Sequence, residues 1–120
     1  VSKPNMFIVY VNDVAASSVF YQDLFNLVPG LTTPRFVVFP LGGGISLALW
    51  SGAGSVLRET ARTSEVCLNT EGGSEVIDAL FAKWSAKGVS VVEEPHDEIF
   101  GRTFVVADPD GNMLRVAPAD

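Results

Sequence analysis

Residues 36–50, FVVFPLGGGISLALW, lie over residues 103–117, TFVVADPDGNMLRVA, without a gap. The match sets Gly44 on Gly111, Leu47 on Leu114, Leu49 on Val116 and Ala48 on Arg115. Few identities survive, but strand, glycine turn and strand coincide, which is the mark of a repeated unit. A chain built this way folds as two copies of one small motif, so each half can be read against the other.

Each half supplies a strand and a helix before its hairpin. MFIVYVND opens with β-branched and aromatic residues and reads as a strand, after which Asp13 offers an N-cap oxygen to a helix starting near Val14. Ser17, Phe20, Tyr21 and Leu24 recur at helical spacing and form one buried face. LVPGLTTP, with its prolines and glycine, permits only a short edge strand, and RFVVFP and GISLALW around LGGG form a hairpin. In the second half, EVCLN reads as a strand. GGSEVIDALFAKWSAKG reads as a helix capped by Ser74, striped by Ile77, Leu80, Phe81 and Trp84, and stopped by Gly88. VSVVEEP is a short strand and TFVVADPDGNMLRVAP the second hairpin, with the polar SGAGSVLRETART joining the halves. This order predicts an α+β fold of two tandem βαβββ modules, about 5–51 and about 62–118, in a single domain over residues 1–120. One helix per module covers one face of a mixed sheet, and strand twist curves the other face into an open cleft.

Alternation along the strands then assigns faces. Leu47 and Leu49 belong under a helix, which turns Ser46, Ala48 and Trp50 to the cleft; Leu114 and Val116 do the same for Met113, Arg115 and Ala117. On the first strand Phe7, Val9 and Val11 go under the helix and Met6, Ile8 and Tyr10 opposite, and on the fifth Glu65, Cys67 and Asn69 oppose Val66 and Leu68. The expected cleft is apolar and aromatic, with Glu65 and Arg115 as its charges.

Composition narrows the partners. Eight basic residues scattered among fourteen acidic ones, a net charge of −6, exclude the clustered cations that nucleic acid requires. No apolar run is long enough to cross a bilayer and no signal-type segment is visible, so no membrane partner and a cytoplasmic location are expected. Cys67, the single cysteine, reads as a small buried hydrophobe.

The tandem modules, VNDVAASSVFYQDLF after the first strand and DPDGN before the last, resemble the vicinal oxygen chelate superfamily of glyoxalases, extradiol dioxygenases and bleomycin or fosfomycin resistance proteins. Within it, TPRFVVFP, LALWSG, RTSEV and FGRTFVVADPDGNMLRVAP resemble the phenazine antibiotic resistance branch, whose members bind without chemistry. That resemblance implies a homodimer, with strands or modules exchanged between subunits, and clefts in which a flat aromatic drug is bound unaltered. Metal-dependent members carry His, Gln or Glu at positions that match Met6, Glu65 (or Ser64), Ala48 and Arg115 here, so one of four could ligate. A guanidinium offers no lone pair and repels a divalent cation. His96, in what reads as the polar loop EEPHDEIFGR, is taken as a solvated loop residue. No catalytic residue, metal ligand or cofactor is therefore assigned.

The expected function is non-enzymatic antibiotic resistance by sequestering a planar aromatic, phenazine-like drug. Trp50 is the leading stacking residue, with Tyr10 supplying a hydroxyl and Ser51 and Gly52 exposing backbone amides beside it. Phe100, in a longer connection, is positioned to fold over the cleft mouth, with Gly101 allowing the sharp turn. Arg115 either meets the ligand or pairs with Glu65, read as a contact with the other module; Arg35 and Arg102 hold either an acidic substituent or a surface carboxylate. The alternatives are a divergent metal-dependent glyoxalase, dioxygenase or thiol transferase, and a binder of a bleomycin-type cationic glycopeptide.

Overall fold

The computed structural model describes residues 3–52 and 60–119, so part of the connection SGAGSVLRETART lies outside the described residues. The chain divides into two compact units, residues 1–61 and 62–120. The first runs β1 (Met6–Tyr10), α1 (Val14–Phe25), β2 (Leu31–Thr32), β3 (Phe36–Gly42) and β4 (Ile45–Trp50). The second runs β5 (Glu65–Thr70), α2 (Ser74–Ala86), β6 (Ser90–Glu98), β7 (Gly101–Ala107) and β8 (Met113–Pro118). Each makes a four-stranded mixed sheet, in the order β1-β4-β3-β2 and β5-β8-β7-β6. The first strand of each half pairs in parallel with the last, and the remaining pairs are antiparallel. Gly44 and Gly111, superposed by the repeat, adopt positive φ values of 79° and 85° before β4 and β8.

Local chemistry explains the element boundaries. The Asp13 carboxylate accepts the Ala16 N–H at 3.2 Å, and α1 ends on Asn26 in the left-handed region. In α2 the cap position belongs to Gly73, whose neighbour Ser74 is already helical, so the predicted serine cap is not made. The DPDGN turn closes on the buried carboxylate of Asp108, which accepts the N–H groups of Asp110 and Asn112 at 2.9 and 2.8 Å and the Asn112 amide at 2.8 Å. Arg62 donates through Nε to the Asn112 side-chain oxygen Oδ1 at 2.7 Å and ties the chain before β5 to that turn.

Helix-facing positions make the cores. Val37, Phe39, Leu47 and Leu49 are buried beneath Tyr21 and Leu24 of α1, and Leu114 and Val116 lie beneath Ile77 and Trp84 of α2. Phe104 meets the Phe81 and Trp84 rings edge-on, with centroids 5.2 and 5.5 Å apart. Truncating such a buried ring costs about 3–5 kcal/mol.

Two expectations about strands change. Alternation predicts Phe7 beneath α1, but α1 packs over β3 and β4, leaving edge strand β1 uncovered and Phe7 54% exposed. The short strand predicted from VSVVEEP is nine residues long and carries His96 opposite Thr103 of β7, so the residue expected in a loop is in a strand. Pro95 is tolerated there because β6 is an edge strand with register irregularities around it.

Candidate functional site

In the first unit, the sheet face away from α1 ends in an aromatic corner. Tyr10 and Phe36 both sit in register with Trp50, one from each neighbouring strand, so all three side chains share that face. The Tyr10 and Trp50 rings meet at 62° with centroids 6.0 Å apart, and Trp50 remains 36% exposed. Its strand position is fixed on both sides: the Val11 N–H donates to the Trp50 carbonyl at 3.1 Å, and the Ser51 N–H to the Arg35 carbonyl at 3.0 Å. Gly52 follows the edge of the indole, where a Cβ would stand 2.1 Å from Nε1. Only glycine leaves the tryptophan in this place.

Arg35 occupies a stapled turn next to that corner. The Thr33 N–H and hydroxyl both donate to the Phe36 carbonyl at 2.8 Å, and the Phe36 N–H donates back to the Thr33 hydroxyl at 2.9 Å. Pro34, whose φ is fixed by its ring, stiffens the corner further.

The second unit carries a charged face. Arg115 donates through Nε and Nη2 to both oxygens of Glu65, at 2.8 and 2.9 Å, and through Nη1 to the buried Thr103 hydroxyl at 3.1 Å. The same guanidinium lies 3.7 Å from Glu93, which lies 3.7 Å from His96 Nε2, which in turn meets Glu98 at 3.1 Å. The Arg115 hydrogen bonds hold the Glu65 carboxyl below its ordinary range, and Glu65 in turn raises Arg115. His96 is raised, first by its bond to the Glu94 carbonyl and then by Glu98. Glu65 and Arg115 belong to the same unit, on adjacent parallel strands two residues apart in register, so the pair does not come from the other module.

Several other expectations are corrected here. Phe100 is not in a long connection but in a two-residue turn between Glu98 and Gly101, and its ring lies 5.8 Å from the Arg115 guanidinium carbon. Gly101, with φ of 117°, makes that turn. Arg102 falls on the helix-covered face, where it pairs with Asp78 of α2 at 3.0 Å and Asp97 at 3.4 Å, the surface-carboxylate alternative. Cys67 is exposed on β5 instead of buried. Desolvation of its sulfur, and then the charge of Glu65, push its thiol pKa up, so it stays protonated at neutral pH. Thr103, which sequence reading passed over, supports Arg115 from below; it shares the parity of Val105 on β7 and was readable from alternation.

Beside this geometry, comparison with known proteins gives a family. The Glyoxalase/Bleomycin resistance protein/Dioxygenase superfamily profile matches residues 3–116. The chain belongs to that superfamily. The phenazine antibiotic resistance protein EhpR of Enterobacter agglomerans is 40% identical over 120 residues, 98% of this chain and 92% of EhpR. The solution structure of protein ATC0852 from Agrobacterium tumefaciens covers 98% of both chains at 33% identity with a TM-score of 0.81. A glyoxalase-related enzyme from Fulvimarina pelagi, at 22% identity and a TM-score of 0.79 over 98% of this chain and 88% of that one, shares the fold.

The glyoxalase superfamily includes metal-dependent enzymes, and the residues here do not fit their ion. Met6 and Ala48 bring no hard donor, both oxygens of Glu65 are engaged by Arg115, and Arg115 is itself a cation. Among the described residues no group of three or more His, Cys, Asp or Glu is arranged to hold a metal. Among the described residues no helix is long and apolar enough to cross a membrane.

Proposed function

We propose that this protein binds and sequesters a planar aromatic drug of phenazine type, without altering it, as a homodimer. The observation that carries the reading is the Trp50–Tyr10 pair: two aromatic side chains on a face without a helix, one of them part exposed and backed by a glycine that cannot be enlarged. An indole fixed in this way offers a flat surface at small entropic cost, and stacking adds about 0.5–1.5 kcal/mol per ring pair beyond area burial. The likeness to EhpR supports the drug class. The engagement of Glu65 by Arg115 supports binding without metal chemistry, since the one carboxylate at the metal-matching positions is already neutralised.

Tyr10, Trp50, Gly52 and Arg35 form the proposed binding set of the first unit, and Phe100 with Arg115 that of the second; Ser51 is left out because its amide, expected to be exposed, donates to the Arg35 carbonyl at 3.0 Å. Arg102 is left out because two carboxylates already hold it. Calorimetric titration with phenazine tests the reading: Trp50→Ala is expected to weaken binding about tenfold or more while Trp50→Phe retains most of it. Absence of saturable binding by phenazine and its simple derivatives would reject it.

A further inference from the structure

We propose that His96 is a proton-operated clasp on β6: as an imidazolium it ties the irregular middle of that strand to its end, and on losing its proton it releases the β6–β7 turn that carries Phe100.

The partners of the two ring nitrogens carry the argument. Nδ1 lies 2.8 Å from the Glu94 carbonyl oxygen, and Nε2 lies 3.1 Å from the Glu98 carboxylate with Glu93 at 3.7 Å. A carbonyl oxygen and an ionised carboxylate can only accept, whereas a neutral imidazole has a single N–H to give. Only the imidazolium, with a proton on each nitrogen, satisfies both sides of the ring. Once neutral, the ring turns a nitrogen lone pair toward an oxygen on one side.

The strand gives the clasp something to hold. Pairing of β6 with β7 shifts register between Val91 and Glu93 and again between Glu93 and His96. The second shift spans Glu94 and Pro95, and a proline has no N–H to add to the ladder. His96 bonds back to the Glu94 carbonyl inside that stretch, and through Glu98 it reaches the last residue of the strand, next to Ile99 and Phe100. Ile99 is fully exposed and Phe100 about half exposed, so apolar packing holds this turn weakly. Phe100, which belongs to the proposed binding set, keeps its place beside Arg115 while the clasp is closed.

The neighbouring charges alternate in sign. Glu65 of β5, Arg115 of β8, then Glu93, His96 and Glu98 of β6 follow one another in contact on the face away from α2. Cys67 of β5 stands in register with Arg115, and Thr103 of β7, opposite His96, is uncharged and accepts from Arg115. On the other face Arg102 of β7 pairs with Asp97 and with Asp78 of α2. Loss of the His96 proton therefore removes the positive charge between Glu93 and Glu98. The Glu94 carbonyl first, and then Glu98 and Glu93, raise His96 above its ordinary value of 6.5 against some desolvation. The clasp is complete below that value and is lost as pH rises through the higher folded one.

His96 is the single histidine of the chain, so its ring signals stand alone in a nitrogen-15 NMR titration of the full chain from mildly acidic to mildly alkaline pH. Both ring nitrogens are expected to be protonated at neutral pH, with a midpoint above 6.5, and the amide signals of Ile99, Phe100 and Gly101 should move with that midpoint. Glu98→Gln should lower the ring midpoint, and His96→Gln should leave the three amides still across the same range. A ring midpoint at or below 6.5, or one that Glu98→Gln leaves unchanged, would overturn the inference. Turn amides that ignore the ring in the wild type, or that go on titrating in His96→Gln, would overturn it as well.

Discussion

Arg115 shows what one residue's parity can and cannot tell. Alternation from Leu114 and Val116 put it on the face away from α2, and that holds because β8 keeps an unbroken register with both of its neighbours. Its partner was harder, since Glu65 lies fifty positions away in sequence and only the parallel pairing of β5 with β8 brings the two together within one unit. The pair has a pH signature. The folded carboxyl of Glu65 is held below its reference value of 4.5, so its contribution is complete above that value and is lost as pH falls through the lower folded one. Partial exposure keeps the size modest, about 1 kcal/mol. Glu65→Gln should therefore be less stable than wild type by about that amount at neutral pH, with the gap closing below 4.5, as chemical denaturation at a series of pH values would show.

At the scale of elements, the two halves share topology and differ in one strand. β2 has two residues and β6 nine, and the extra length carries the chain past Pro95 and four acids to a tight turn at Ile99 and Phe100. Proline and charge read as loop signals in a sequence; on an antiparallel edge strand they are permitted, because one side of the strand makes no ladder bonds. The helices were legible from their stripes, whereas the cap of α2 was not, since Gly73 supplies a backbone conformation and no side-chain oxygen. The β6–β7 turn depends on Gly101, where a Cβ would need φ of 117° and would stand 2.6 Å from the Pro118 ring. Gly101→Ala is expected to cost about 1–3 kcal/mol in thermal or denaturant unfolding, and a neutral result would show that the turn relaxes freely.

For the whole molecule, the internal repeat was the most informative feature of the sequence, because it set two βαβββ modules with a common order of elements before any single element was certain. What it could not give was the state of the edges. A parallel edge strand with Met6, Phe7 and Ile8 at 41, 54 and 48% exposure presents apolar side chains on both faces, and parallel strands are ordinarily covered. This supports the homodimer within the proposed function. Light scattering after gel filtration is expected to give a dimer mass, and Phe7→Glu to shift it toward monomer; a monomer at micromolar concentration in the wild type would remove the dimer from the proposal.

The two tryptophans divide their labour in a way that serves the experimenter. Trp84 is 1% exposed and edge-on to Phe104, while Trp50 is part open at the proposed site. The two are therefore expected to act as natural optical probes of opposite polarity: Trp84 emitting to the blue and reporting whether the fold is intact, Trp50 emitting further to the red and open to quenchers such as iodide. A compound that dims only the second has reached the aromatic corner; one that moves both has disturbed the fold.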